Sequence, residues 1–144
     1  MKVTFLLADA AEAVGGKLYI LGGGWSITGP QPSPAALAIK IEVPWSEANR
    51  PHEWKAVLED QDGQAVTLPT PEGESVVEVG GSFEVGRPPG LIEGTPLDLP
   101  IAINLGPLPL HPGGRYRWRL FVDGATDDNW SVTFSVRLTP AGTA

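Results

Sequence analysis

Apolar and polar residues alternate most cleanly through residues 115–137, RYRWRLFVDGATDDNWSVTFSVR. Tyr116, Trp118, Leu120 and Val122 share one parity, and Arg115, Arg117 and Arg119 share the other, with Phe121 as the one apolar intruder. Trp130, Val132, Phe134 and Val136 alternate in the same way with Ser131, Thr133, Ser135 and Arg137. Successive side chains of a strand point to opposite faces, so this pattern predicts a β-hairpin with a core face and a wet face on each arm. Residues 123–129 form its turn.

The same period recurs along the chain. Val3, Phe5 and Leu7 predict a first strand, and 17–21 (KLYIL) a second. Residues 8–14 fit either a strand extension or one helical turn. Segment 29–34 (GPQPSP) must be loop, because its prolines cannot donate to a sheet ladder. Leu37, Ile39, Ile41, Val43 and Trp45 predict a long strand with one buried face, Ala38 and Lys40 lying on its wet face and Pro44 marking its edge or end. Trp54, Ala56 and Leu58 follow, then an Asp62-Gly63 hairpin turn with 64–68 as the return arm. Residues 69–74 read as loop. Val77, Val79, Phe83 and Val85 form the next inner face, interrupted by Gly80-Gly81, which suggests a bulge or bend. Residues 86–96 are the longest segment without a pattern. Residues 97–105 (LDLPIAINL) alternate again, and Pro100 places them at a sheet edge.

These elements predict about eight or nine short strands and no amphipathic helix. The fold class is all-β: a single two-sheet antiparallel β-sandwich spanning 1–138, with 139–144 a frayed tail. A closed barrel is the runner-up. At 144 residues the chain suits one domain with a real core. Its 18 glycines and 15 prolines sit between apolar runs, as turns joining strands require.

The formal net charge of −7 sets the chain against phosphate backbones, so nucleic acid is not an expected partner. There is no cysteine, which removes disulfides, thiolate zinc sites and cysteine nucleophiles. It also leans the protein towards the cytoplasm. Asp9 and Glu12 interrupt the apolar start, which therefore reads as a strand and not a signal peptide. No apolar run approaches the ~20 residues needed to span a bilayer, so no membrane partner is expected.

Two stretches resemble a family. Residues 5–25 (FLLADAAEAVGGKLYILGGGW) and 96–124 (PLDLPIAINLGPLPLHPGGRYRWRLFVDG) look like a family of small uncharacterised bacterial proteins, a domain of unknown function frequent in actinobacteria. The resemblance implies a bacterial, non-secreted, sandwich-like protein and brings no activity. The Pro-Gly-Gly-x-Tyr-x-Trp entry and Val-Asp-Gly exit of the hairpin also resemble the last hairpin of immunoglobulin-like modules, an analogy of fold alone.

Candidate chemistry is sparse. Asp60, Asp62, Asp123, Asp127 and Asp128 would form a calcium site if their loops met, against the plainer reading of side chains that mimic turns. Gly22 to Gly24 lack the Gly-Lys-Ser/Thr of a phosphate loop. His52 and His111 adjoin prolines in predicted loops, with no acidic partner nearby in sequence. A carboxylate hydrolase could draw only on Asp9 with Glu12 or Glu72 with Glu74. Trp54, Trp118 and Trp130 fit core faces, while Trp25 and Trp45, at strand ends, are candidates for a ligand platform. Arg115, Arg117, Arg119 and Arg137, with Phe121 at their centre, reverse the charge of an acidic chain locally. They either pair with neighbouring glutamates or dock on an acidic partner, such as a second copy. No cofactor is expected. The favoured expectation is a non-enzymatic module for binding or self-association. The alternatives are a small-ligand or carbohydrate binder using Trp25, Trp45 and the 86–96 loop, and the hydrolase.

Overall fold

The structure is a computed structural model describing residues 1–140; positions 141–144 of the tail expected to fray lie outside the described residues. In order the strands are β1 (Lys2–Ala8), β2 (Ala10–Val14), β3 (Lys17–Leu21), β4 (Ile27–Thr28), β5 (Ala35–Val43) and β6 (His52–Glu59). They continue with β7 (Thr67–Thr70), β8 (Gly73–Val76), β9 (Glu78–Phe83), β10 (Leu97–Leu105), β11 (Arg115–Val122) and β12 (Ser131–Val136). The one helical element among the described residues is a 3₁₀ turn at Trp45–Glu47. No helix among them is long and apolar enough to cross a membrane.

The all-β class holds, but the expected single pair of sheets with eight or nine strands does not. Twelve strands form four sheets. A three-stranded sheet runs β1-β5-β10 and a five-stranded sheet runs β4-β12-β11-β6-β9. Two further sheets are the two-stranded ribbons β2-β3 and β7-β8. Both extra ribbons come from stretches whose pattern was weak. Residues 8–14 are neither an extension of β1 nor a helical turn: the chain kinks at Asp9, whose N–H donates to Leu21 and Gly22 carbonyls, and β2 pairs with β3. Residues 69–74, read as loop, complete the β7-β8 hairpin, because the return arm stays on β6 only as far as Val66.

One core joins the two larger sheets. Phe5, Leu7, Leu37, Ile39, Ile41 and Leu97 come from one side, and Trp54, Leu58, Trp118, Leu120 and Phe134 from the other. Burying each such side chain contributes a few kcal/mol. The opening hairpin forms as its pattern predicts, with Trp118 opposite Val132 and Tyr116 opposite Phe134. Trp130 is only half-buried, just before β12.

β5 departs from its pattern. Ala38, on its expected wet face, and Ala36, two residues before it, are buried with Ala8 and Ala11 under the β2-β3 ribbon. Alanines let the ribbon approach closely, and Asn104 of β10 holds it. Its Nδ2–H donates to the Ala11 carbonyl at 2.8 Å, and its Oδ1 accepts the Ala11 N–H at 3.1 Å. Pro100 lies on the edge strand β10, as expected, and Pro44 ends β5. Gly80-Gly81 form no bulge. β9 pairs in register through both, opposite Lys55 and Trp54. A Cβ on Gly80 would come within 2.7 Å of the Trp54 carbonyl oxygen, so this position needs glycine for close approach.

At the entry to β11, Tyr116 Oη accepts the His111 N–H at 3.0 Å. Its ring stacks on Phe134 at 5.7 Å. That bond ties the connection between β10 and β11 to the core.

Candidate functional site

The five acidic turn residues do not converge. β6 and β11 run antiparallel, with Glu59 opposite Arg117 and Trp54 opposite Val122. Asp60 and Asp62 therefore sit at one end of the five-stranded sheet and Asp123 at the other. Asp60 Oδ1 accepts the Asp62 and Gln64 N–H groups, and Asp127 Oδ1 accepts that of Asn129. These are side chains building their own turns. Among the described residues, no group of three or more such side chains is placed to hold a metal ion.

Asp123 does something different. At φ 51° it occupies the left-handed region that Asp and Asn tolerate. Its Oδ2 stands 2.6 Å from His52 Nδ1, and its Oδ1 accepts the Glu53 N–H at 2.9 Å. His52 is no loop residue. It begins β6, is 4% exposed, and stacks on Phe83 at 5.1 Å. Its Nε2 faces the Glu47 carbonyl at 2.9 Å. Both ring nitrogens thus face acceptors, and only the imidazolium donates to both. The hydrogen bond to Asp123 raises the His52 pKa; burial opposes it, and the Glu47 carbonyl adds to it. The same bond lowers the Asp123 pKa, helped by the Glu53 N–H. A general base would have to present Nε2, which here is spent on a backbone carbonyl, so the pair acts as a clasp. Sequence separation hid it: the partners are 71 positions apart.

The arginine face divides. Arg119 Nε pairs with Glu59 Oε1 at 3.0 Å, both side chains largely buried. Phe121 lies under the Lys55 ammonium at 5.4 Å. Arg137 follows β12, and its guanidinium rests near Gly29, lining a different depression from Arg115 and Arg117. Arg115 and Arg117 remain exposed, with no ion pair among the described residues. They line an open basin with Glu59, Asp60 and Asp62.

Trp25 and Trp45 do not form one platform. β5 separates them: Trp45 stands two residues past its last, and Trp25 lines a space with Ala35, its first. Trp45 is also covered, with the Arg87 guanidinium 4.6 Å from its ring and donating to its carbonyl at 2.6 Å. That contact ties the start of the 86–96 loop to Trp45. Trp25 is half-buried, edge-on to Phe134 at 6.0 Å, and its Nε1 is buried without a partner. The hydrolase candidates gain no cleft. Asp9 and Glu12 line different depressions, and Glu72 and Glu74 stand exposed at the β7-β8 hairpin.

The described residues define an all-β domain whose polar side chains mostly build turns and clasps. The chain belongs to a family of unknown function, DUF6941, whose profile matches residues 3–137. No curated protein and no solved structure matches it.

Proposed function

We propose that the chain is a non-enzymatic, cytoplasmic, immunoglobulin-like module that associates with a second copy of itself. Two features support the immunoglobulin-like reading. The orders β1-β5-β10 and β12-β11-β6-β9 match the A-B-E and G-F-C-C′ arrangement of that class, with β4 beside β12 and the two ribbons as additions. Tyr116, bonded back to His111, takes the place of the tyrosine corner at the start of strand F. The lack of cysteine supports a reducing compartment.

The observation that carries self-association is the basin beside Arg115 and Arg117. It holds unpaired cations and the Asp60 and Asp62 carboxylates side by side. A two-fold contact places the same patch on both subunits, so a patch carrying both signs is self-complementary. Arg115 and Arg117 of one copy then meet Asp60 and Asp62 of the other, while the charge of −7 keeps uncomplementary surfaces apart. The test is charge reversal followed by rescue. Arg117→Glu yields monomer, Asp62→Lys yields monomer, and mixing the two restores a heterodimer. A mixture that stays monomeric while the wild type dimerises would contradict this pairing.

A further inference from the structure

Beneath segment 29–34, at the end of the core opposite His52, lies a cavity that the self-association patch does not use. Leu7, Leu108, Leu110, Trp118, Phe134 and Trp25 are among the side chains that line it. Its volume is about 50 Å³. One water needs roughly 10–15 Å³ of such space, so a ring or a short alkyl chain fits. Most of its lining surface is apolar, with Thr28, Gln31 and Ser33 at or beside the segment that covers it, which suits an apolar group.

Two observations set this cavity apart from a packing defect. Trp25 Nε1 is buried with no hydrogen-bond partner, the one such side-chain atom among the described residues. A buried indole N–H ordinarily finds an acceptor, and leaving it without one costs free energy. The second is the polar depression that adjoins the cavity through Trp25, Thr28, Gly29 and Ser33. Its charged members are Asp9 and Arg137, neither in an ion pair among the described residues. Arg137 lies at the Gly29 side, where a Cβ would be 3.7 Å from its Nη2. Asp9, packed over Gly22, also lines the depression and disfavours a second negative charge.

We infer that cavity and depression together bind a small monocarboxylate with an apolar tail. The tail enters the cavity. The carboxylate sits at the boundary, accepting the Trp25 Nε1–H and pairing with Arg137. A neutral ligand of the same shape gains the cavity and not the charge-assisted bonds. The site is separate from the Arg115–Arg117 basin, so it stands whether or not the chain dimerises.

Hexanoate and hexanol are the probes, titrated into ¹⁵N-labelled full-length protein while the indole N–H signals are followed. Trp25→Phe assigns its signal by removing it. Hexanoate is expected to shift the Trp25 signal saturably, with a dissociation constant of about 1 mM, within reach of so few atoms. Hexanol, or hexanoate with Arg137→Gln, should bind about tenfold more weakly, the loss of one charge-assisted bond. Arg137 is exposed, so its replacement leaves the core intact, and Arg117→Glu should change nothing here. A Trp25 signal unmoved at ~10 mM hexanoate, tenfold above that constant, would overturn the proposal. So would hexanol binding as tightly as hexanoate.

Discussion

His52 Nδ1 stands 2.6 Å from Asp123 Oδ2, joining the first residue of β6 to the residue after β11. Asp123→Ala removes that acceptor and leaves a ring N–H buried without a partner. The expected loss is about 1–3 kcal/mol in urea unfolding. Asp123→Asn, which keeps one acceptor oxygen, should lose less. Equal losses for the two variants would mean that a neutral acceptor oxygen at this position contributes nothing and that the carboxylate charge carries the clasp.

The clasp also gives stability a pH dependence with two limbs. His52 has a raised pKa, so its contribution is complete below the usual 6.5 and is lost as pH rises through the folded-state value. Asp123 has a lowered pKa, so its contribution is complete above the usual 3.8 and is lost as pH falls through its folded-state value. The difference in stability between wild type and His52→Gln should therefore be greatest between the usual values of 3.8 and 6.5 and shrink on either side. A difference that stays level from pH 4 to 9 would rule out a charged His52 in the folded state.

Tyr116→Phe keeps the ring on Phe134 and deletes only the bond from the His111 N–H. It should cost about 0.5–1.5 kcal/mol in the same unfolding assay. Leu120→Ala, at a fully buried core position, should cost about 2–5 kcal/mol. A tyrosine loss as large as the leucine loss would show that the corner does more than supply one hydrogen bond.

Gly80→Ala and Gly63→Ala separate two reasons for glycine. At Gly80 the new methyl meets the Trp54 carbonyl at 2.7 Å, so β9 must shift on β6. At Gly63 nothing lies within 4 Å, and only the φ of 78° is strained, at about 1–2 kcal/mol. Thermal unfolding should find the Gly80 variant the less stable of the two.

The strands that face the core were legible because burial on one side imposes a period of two, as in β11 with Tyr116, Trp118, Leu120 and Val122. The ribbons were not. Ala36 and Ala38 look like a wet face until β2 covers them, and an alanine carries too little hydrophobic signal to announce that. The β7-β8 hairpin was hidden by Pro69 and Pro71, which read as loop though β7 includes Pro69. Among site residues, Arg115 and Arg117 stand as exposed as their alternation implied, whereas Arg119, Phe121 and Arg137 found separate surroundings. His52–Asp123 depends on the β6–β11 register, which local pattern cannot supply. The Trp25 cavity depends on where segment 29–34 comes to rest.

Light scattering behind size-exclusion chromatography tests self-association most directly. At low ionic strength and high protein concentration, wild type should have a mass near twice the 15.2 kDa of one chain. That mass should fall towards a single chain at ~0.5 M salt, because exposed ion pairs are screened. A mass of 15.2 kDa at every concentration and ionic strength would contradict the account.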